Sequence, residues 1–353
     1  MDLRTGLLRL GLNAIDAAGA LGITRLLARL TRGSGLIFTL HHVRPAREKR
    51  FDPNGILEIT PEFLDTAIVA MKEAGYDVVT LGDALQRLQE KDQRRFAVFT
   101  FDDGARDVRD HALPVLRKHD APCTMFIASG FADGTAELWW LVLEETLRRR
   151  SSLAYDFGGG PEQIALVSDA EKNAVWNRIY WHLRSIADEK TMRAIISRMA
   201  QDSGFDGLSL TREVCMDWSE LRAVAADPLV EIGNHTVSHP MLAKATEQDV
   251  RDELTTSQRR ITEELGVTPR HLAYPVGDPT SAGPREFRIA RELGFASGLT
   301  TRKGVLFPEH GTYPTALPRI SLNGNYQERR YLELFASGLP FALQNRFRRL
   351  DVA

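Results

Sequence analysis

The chain has few cysteines and no excess of one charge. Its 353 residues include two cysteines, Cys123 and Cys215, and neither belongs to a C-x-x-C pair. This scarcity argues against a disulfide framework and against a thiolate zinc site, and buried thiols in a reducing compartment are the simplest interpretation. A formal net charge of -2 argues against nucleic-acid binding, which usually shows a basic excess.

Long apolar runs are also missing. No stretch reaches the roughly 18 consecutive apolar residues of a transmembrane helix. Residues 1–34 are rich in leucine and arginine, but Asn13 and Asp16 interrupt the apolar core that a secretory signal would need. We expect an amphipathic helical segment there, which either packs on the domain or lies on a membrane surface. A cytoplasmic location, free or peripheral to the inner membrane face, is the resulting expectation.

What the sequence does contain is a regular alternation of strands and helices. Short buried-strand patterns alternate with helical ones in units of about 30 residues, which predicts a parallel sheet. The alternation stops over about residues 135–213, where we expect a mostly helical insertion inside a single domain spanning 35–325. Four of the five tryptophans fall in this insertion, where they suit either core packing or sugar stacking. Residues 326–353 have the pattern of a C-terminal amphipathic helix.

Two adjacent carboxylates, Asp102 and Asp103, follow the apolar strand pattern of residues 96–101. Buried strands do not end in two like charges for stability, because such charges must be solvated, protonated or bound to a cation. Taken alone, Asp-Asp-Gly is also ordinary turn composition. A second feature is needed to decide between a turn and a site.

That feature is a pair of histidines, His235 and His239, which also follow a predicted strand. Their spacing predicts two imidazoles on one side of a helical turn. In a parallel β/α barrel the carboxyl ends of all strands open on one face, so these histidines and a carboxylate should converge. Three protein ligands that leave positions for water and substrate are typical of a catalytic metal.

The two motifs, TFDDG at 100–104 and HTVSH at 235–239, resemble the first two motifs of the polysaccharide deacetylases, the NodB-like enzymes of carbohydrate esterase family four. The resemblance covers about residues 37–322. It implies a distorted (β/α)7 barrel that hydrolyses an N-acetyl, sometimes O-acetyl, group on a saccharide. By the same resemblance Asp102 matches the general base, Asp103 the metal-binding carboxylate, and His235 and His239 the metal-binding imidazoles.

The chemistry of amide hydrolysis supports this division of roles. An amide is a poor electrophile, so one divalent metal must polarise its carbonyl and lower the pKa of water, while a second carboxylate takes the proton. Two histidines and a carboxylate favour zinc, although iron, cobalt and nickel also suit them. The expected partner is an N-acetylated saccharide rather than a nucleic acid.

The later motifs depart from the family pattern. In LAYPVG at 272–277 the places of the family's arginine and tyrosine hold Ala273 and Val276, and Tyr274 and Pro275 are the predicted substrate-binding residues. The last motif, ISLN at 320–323, lacks the histidine that serves the family as general acid.

Three residues are candidates for the missing functions. Arg319 is predicted to orient Asp102, and His41 or His42, at the end of the first strand, to act as the acid; a structural histidine with a bystander is the competing interpretation. Two alternative functions stay open at this point. One is hydrolysis of a non-sugar amide, and the other is a non-catalytic carbohydrate-binding protein that kept the barrel.

Overall fold

The structure is a computed structural model that describes residues 23–46 and 50–352. Most of the predicted N-terminal segment, residues 1–22, lies outside the described residues; its last part forms the helix Ile23–Thr31. None of the helices in the described ranges is long and apolar enough to cross a membrane.

The described residues form twelve strands, most of them short and buried. These are β1 (Gly35–Leu40), β2 (His42–Val43), β3 (Glu58–Ile59), β4 (Tyr76–Val78), β5 (Arg95–Phe101), β6 (Cys123–Ile127), β7 (Ser152–Asp156), β8 (Pro161–Ala165), β9 (Val230–Asn234), β10 (His271–Ala273), β11 (Ser297–Leu299) and β12 (Ile320–Ser321).

Eight of these strands form one curled parallel sheet. Seven follow the order β11-β10-β9-β6-β5-β1-β12, and β4 pairs with the start of β5. A parallel bridge between Leu299 and Leu317 connects the two ends of the path, so the sheet curls toward a barrel. The predicted distorted (β/α)7 barrel is thereby confirmed. Strands β1 and β5 are almost wholly buried, as expected for parallel strands covered on both faces.

Fourteen α-helices lie in the described ranges. They are α1 (Ile23–Thr31), α2 (Pro61–Glu73), α3 (Leu81–Glu90), α4 (Leu113–Lys118), α5 (Ser129–Ala132), α6 (Trp139–Arg149), α7 (Asp169–Ser185), α8 (Glu189–Asp202), α9 (Gly207–Val214), α10 (Trp218–Ala225), α11 (Glu247–Leu265), α12 (Pro284–Glu292), α13 (Arg329–Ser337) and α14 (Leu339–Gln344). A π-helical turn, Val108–Ala112, precedes α4. Short 3-10 helices cover Gly55–Leu57, Leu242–Lys244, Pro308–Thr312 and Pro314–Ala316.

The insertion consists of helices α6 to α9 around a core of its own. Its centre includes a stack of three rings, in which Tyr180 lies 5.1 Å from Trp139 and 4.6 Å from Trp176 between ring centroids. The insertion is not wholly helical, because the glycine-rich stretch at residues 158–160 connects the antiparallel strands β7 and β8. Alternating burial of Leu153 and Tyr155 toward the insertion core is what makes β7 a strand.

Local caps set two other boundaries. Strand β4 ends at Val78, because the Thr80 side chain accepts a hydrogen bond from Asp83 N and caps α3. The predicted single C-terminal helix is divided into α13 and α14 by Gly338, which adopts the left-handed conformation with φ of 69°.

Candidate metal centre

The adjacent carboxylates Asp102 and Asp103 lie at the carboxyl end of β5 and are 2% and 3% exposed. Asp103 has φ of 71° and Gly104 has φ of 74°, so the chain turns sharply at this point. A left-handed aspartate is strained, and such strain concentrates at functional sites. The turn separates the two side chains: Asp102 faces into the barrel toward Arg319, and Asp103 faces the histidines.

The histidines lie on a loop after β9, and not on the helical turn that their spacing predicted. Thr236 and His239 both have positive φ, 67° and 58°, which no α-helix allows. Side chains shape the loop instead: Asn234 Oδ1 accepts from Thr236 N, and Thr236 Oγ1 accepts from His239 N. Glu253 Oε2 also accepts from the backbone N–H groups of Val237 and Ser238.

Asp103, His235 and His239 converge on one point. Asp103 Oδ1 lies 3.5 Å from His235 Nε2 and 3.6 Å from His239 Nε2, and one ligand atom from each residue lies within 4.8 Å of the others. Asp103 Oδ1 is buried and forms no hydrogen bond with the described residues. Two ligands at metal-bonding distance in tetrahedral geometry are about 3.4 Å apart. The three side chains therefore fit a divalent cation.

Electrostatics prepares two of the three ligands. Burial raises the pKa of Asp103, but the neighbouring imidazoles of His235 and His239 lower it further, so the pKa lies well below its ordinary range. Burial lowers the pKa of His239 to about 3, against the raising effect of Asp103. At neutral pH Asp103 is ionised and His239 is neutral, the forms that bind a metal.

His235 differs from its partner. Its Nδ1 donates a hydrogen bond to Ala273 O at 2.8 Å, which fixes Nε2 toward Asp103. Burial lowers the pKa of His235, but Asp102 and Asp103 outweigh burial and raise the pKa above its ordinary value. A proton therefore competes with a cation more strongly at His235 than at His239.

Asp102 forms a buried ion pair with Arg319. Arg319 Nη1 donates to Asp102 Oδ1 at 2.8 Å and Nη2 donates to Oδ2 at 2.7 Å, a bidentate arrangement. Thr39 Oγ1 also donates to Oδ2 at 3.3 Å. Burial raises the pKa of Asp102, but Arg319 and His235 lower it further, so the carboxylate is ionised at neutral pH. Arg319 lies just before β12, inside the barrel, and is 1% exposed.

Aromatic side chains cover His239. Its ring centroid lies 5.0 Å from that of Trp140 at the start of α6 and 5.8 Å from that of Phe131 on α5. His239 Nδ1 forms no hydrogen bond with the described residues. The insertion therefore covers the His239 side of the site through Trp140. The Trp139-Trp140 pair was the only sequence signal for it, and that pattern suited core packing equally well.

The two histidines after β1 diverge. His41 is partly buried, and its pKa is lowered by burial against the raising effects of Asp103 and Asp102. His42 faces away from them: its Nδ1 lies 2.8 Å from Asp107 Oδ2. Arg44 Nε donates to the same oxygen at 2.5 Å. The role of Asp107 was missed in the sequence, where the only hint is its place shortly after TFDDG.

A cavity of about 830 Å³ opens beside this second histidine. His42 and Asp107 line one wall, and the insertion provides the opposite wall through Leu141, Glu144 and Arg148. The lining is polar and carries arginines and carboxylates in similar numbers. Such a lining supplies many hydrogen-bond donors and acceptors without a dominant charge.

The predicted substrate-binding residues, Tyr274 and Pro275, are buried in the core. Tyr274 is 1% exposed, its hydroxyl donates to Thr315 O at 2.7 Å, and its ring packs on Phe287. Pro275 is buried next to it. Tyr274 is therefore a core residue, because its bulky side chain points to the helix-covered face of the sheet. Val276, two residues on, lies with His239 around a small crevice and is the member of this motif nearest the histidines.

Comparisons with known proteins agree with this architecture. The family model described as polysaccharide deacetylase matches residues 89–297. The deacetylase PplD of Streptococcus pyogenes, solved in complex with acetate, is similar with 17% identity and a TM-score of 0.56, covering 86% of this chain and 97% of that one. IcaB from Ammonifex degensii is similar with 16% identity and a TM-score of 0.52, covering 87% and 97%.

The polysaccharide deacetylase BC0361 from Bacillus cereus is similar with 13% identity and a TM-score of 0.52, over 86% of this chain and 68% of that one. At these identities the structural likeness shows the fold. No curated protein matches the chain. The family match spans more than half of the chain and includes Asp102, Asp103, His235 and His239. The chain belongs to the polysaccharide deacetylase family and is a carbohydrate deacetylase.

Proposed function

We propose that this enzyme removes N-acetyl groups from a saccharide with the help of one divalent cation held by Asp103, His235 and His239. The observation that carries the proposal is the buried, unpartnered Asp103 Oδ1 facing two imidazole nitrogens at 3.5 and 3.6 Å. A bound cation would supply Lewis acidity, which polarises the acetyl carbonyl and lowers the pKa of water. The donor set favours zinc and also suits iron, cobalt or nickel.

Asp102 is the proposed general base. The bidentate contact with Arg319 holds its carboxylate in one orientation and keeps it ionised at neutral pH. An ionised, oriented carboxylate can take a proton from the attacking water without serving as a ligand. Arg319 is proposed as a positioning residue, because its guanidinium acts on the reaction only through Asp102.

His41 is the proposed acid, in preference to His42. The charges of Asp103 and Asp102 act on the His41 ring, whereas the His42 ring is held by Asp107 on the cavity wall. The lowered pKa keeps His41 neutral at neutral pH, so it must first receive a proton. The proton that Asp102 takes from water is the available one. We therefore assign His41 as the relay that passes this proton to the departing amine.

The saccharide is proposed to occupy the cavity of about 830 Å³ beside His42. Its balanced charged lining suits the many hydroxyl and amide groups of a sugar chain. Trp140 and Phe131 close the opposite side of the site, where they exclude water from the reacting group. Hydrolysis of a non-sugar amide remains the competing activity, and the substrates in the assay distinguish the two.

The test measures bound metal and acetate release together. The purified enzyme is assayed on N-acetylated oligosaccharides and on an N-acetylated peptide, before and after chelation and with each cation restored. We expect the oligosaccharides to be hydrolysed, and only in the presence of metal. Asp102→Asn should lower kcat by about 10²-fold or more while metal is retained. Asp103→Asn should lose the metal.

Asp120→Asn is the matched control, since Asp120 is exposed and lies in the turn before β6, at the opposite end of the strand from the site. It should leave both metal content and acetate release unchanged. Undiminished acetate release after chelation, or in Asp102→Asn, would overturn the proposal. Preference for the peptide would replace the saccharide with the competing substrate class.

A further inference from the structure

The two ends of the described chain meet on one surface that the deacetylase site does not use. Helix α1 packs beside α14, and the residues that follow α14 continue along the same edge. We call this the terminal-helix surface and define it by Leu27, Leu30, Phe341, Leu343, Arg346, Phe347, Arg348 and Arg349. None of these residues takes part in the site of Asp102, Asp103, His235 and His239.

The terminal-helix surface exposes large apolar side chains around a cavity. Leu30 is 71% exposed and Phe347 is 62% exposed, and both line a cavity of about 300 Å³. Deeper in that cavity lie further apolar side chains, among them Val305 and Phe341. Because exposed residues form its rim, the cavity opens to the surface. A contiguous exposed apolar feature of this kind marks an interaction site more often than scattered apolar residues do.

The backbone that presents Phe347 is strained. Arg346 has φ of 52° and Phe347 has φ of 61°, so two consecutive residues with side chains occupy the left-handed region. Bulky residues avoid this region, and burial would be the usual compensation. Two backbone hydrogen bonds at the end of α14 compensate: Phe347 N donates to Ala342 O and Arg346 N donates to Leu343 O. This cap leaves the Phe347 ring mostly exposed at the end of the helix.

Unpaired positive charges surround the apolar features. Arg346 and Arg348 flank Phe347, and Arg29 lies on α1 beside Leu30; none of the three forms an ion pair with an acidic side chain in the described ranges. Arg349 pairs with Glu309. The surface therefore combines apolar side chains with an excess of cations, in a protein whose net charge is -2.

We propose that the terminal-helix surface binds a bilayer that contains anionic phospholipids. Leu30 and Phe347 would enter the interface, the cavity would receive apolar lipid atoms, and the arginines would lie at the phosphates. Charge complementarity favours this occupant over a second copy of the chain, whose matching surface would bring like charges together. It also favours the bilayer over residues 1–22, whose two arginines and two aspartates bring no net negative side-chain charge to these cations. The proposal is independent of the proposed metal dependence.

The test is cosedimentation of the full-length protein with phosphatidylcholine vesicles, with and without phosphatidylserine. We expect binding that requires phosphatidylserine and weakens as salt is raised. Phe347→Asn removes the apolar side chain and suits the left-handed backbone, and it should lower affinity by about tenfold. The double variant Arg346→Gln/Arg348→Gln should lower it by about 30-fold. Val167→Asn, at a residue that is 81% exposed on the insertion, is the matched control and should bind normally.

Each other occupant gives a different result. A concentration-dependent dimer without vesicles that Phe347→Asn dissociates would assign the surface to a second copy. A loss of thermal stability in Phe347→Asn with unchanged vesicle binding would assign it to residues 1–22. Either result, or equal binding to neutral vesicles, would overturn the proposal. Acetate release from a soluble oligosaccharide should be the same in all variants, which verifies that they are folded.

Discussion

The barrel and the insertion hold the two histidines of the site in different ways. On the barrel side, His235 is fixed by a hydrogen bond from its Nδ1 to the backbone oxygen of Ala273 in β10. On the insertion side, His239 has no such bond in the described structure, and the rings of Trp140 and Phe131 hold it by contact. A hydrogen bond fixes direction, whereas ring packing fixes position and removes water.

The difference appears in the protonation of the two imidazoles. Because the His239 ring is packed against other rings and its Nδ1 has no hydrogen-bonding partner among the described residues, burial is the main influence on its pKa. Burial lowers this pKa to about 3. Beside the two carboxylates, the pKa of His235 rises above its ordinary value. One proposed ligand is thus always ready to bind a cation, and the other competes with a proton. The imidazole held by the barrel is therefore the one that competes with a proton, and the imidazole covered by the aromatic rings is the one that stays neutral.

The largest expected effect lies on the barrel side, in Arg319→Met. Removing the guanidinium leaves a buried carboxylate without its partner, which should cost about 3–5 kcal/mol in the free energy of unfolding. The pKa of Asp102 should rise, because Arg319 is the main group that lowers it. The acid limb of the activity profile should therefore move to higher pH. Chemical denaturation and a pH series of kcat/KM measure these two effects.

Two further variants make that result specific. The double variant Asp102→Asn/Arg319→Met removes both charges, so it should recover most of the lost stability and none of the activity. Arg259→Met, which removes the partner of Glu263 from an exposed pair, should change the free energy of unfolding by less than about 1 kcal/mol. If Arg319→Met were as stable as the wild type with an unshifted profile, Asp102 would not depend on the barrel for its charge.

A smaller effect is expected on the insertion side, in Trp140→Leu. If ring packing orients His239, its loss should weaken metal affinity by about 10–100-fold, the cost usual for groups that orient a ligand. Competition with a chelator of known affinity measures this without any assay of activity. Trp181→Leu is the matched control, since Trp181 is 55% exposed on the same insertion. Unchanged metal affinity in Trp140→Leu would show that Trp140 only packs in the core and does not orient His239.

The barrel side of the site was predictable from sequence, and the insertion side was not. Asp102, Asp103, His235 and His239 follow buried strands, and parallel strands bring their carboxyl ends together whatever the loops do. The contact between Trp140 and His239 depends on how the insertion docks, which no local pattern encodes. For the same reason Tyr274 was misassigned: its motif placed it near the site, but strand alternation turned its side chain into the core.

The divergence of His41 and His42 illustrates the same limit. Their adjacency in the sequence gave no means to choose between them. The choice depends on Asp107, which lies one turn beyond the carboxylate pair and holds His42 on the cavity wall. A polar partner so distant along the chain is visible only after folding. Sequence therefore located the chemistry, while tertiary contacts decided which neighbour is available for it.

The last expected effect is the pH dependence of stability. The two histidines should change the free energy of unfolding in opposite directions as the pH changes. In metal-free protein, His239 has a folded pKa of about 3, below its unfolded value, so it destabilises the fold as pH falls below about 6.5. The slope is about 1.4 kcal/mol per pH unit. His235 has a raised folded pKa, so its contribution to the free energy of unfolding is present below about pH 6.5 and is lost as pH rises through the folded value.

His239→Gln should therefore flatten the acid side of the stability curve, and His235→Gln should flatten the neutral side. Chemical denaturation at a series of pH values measures both, and two variants with the same curve would show that the barrel and the insertion do not differ in this respect.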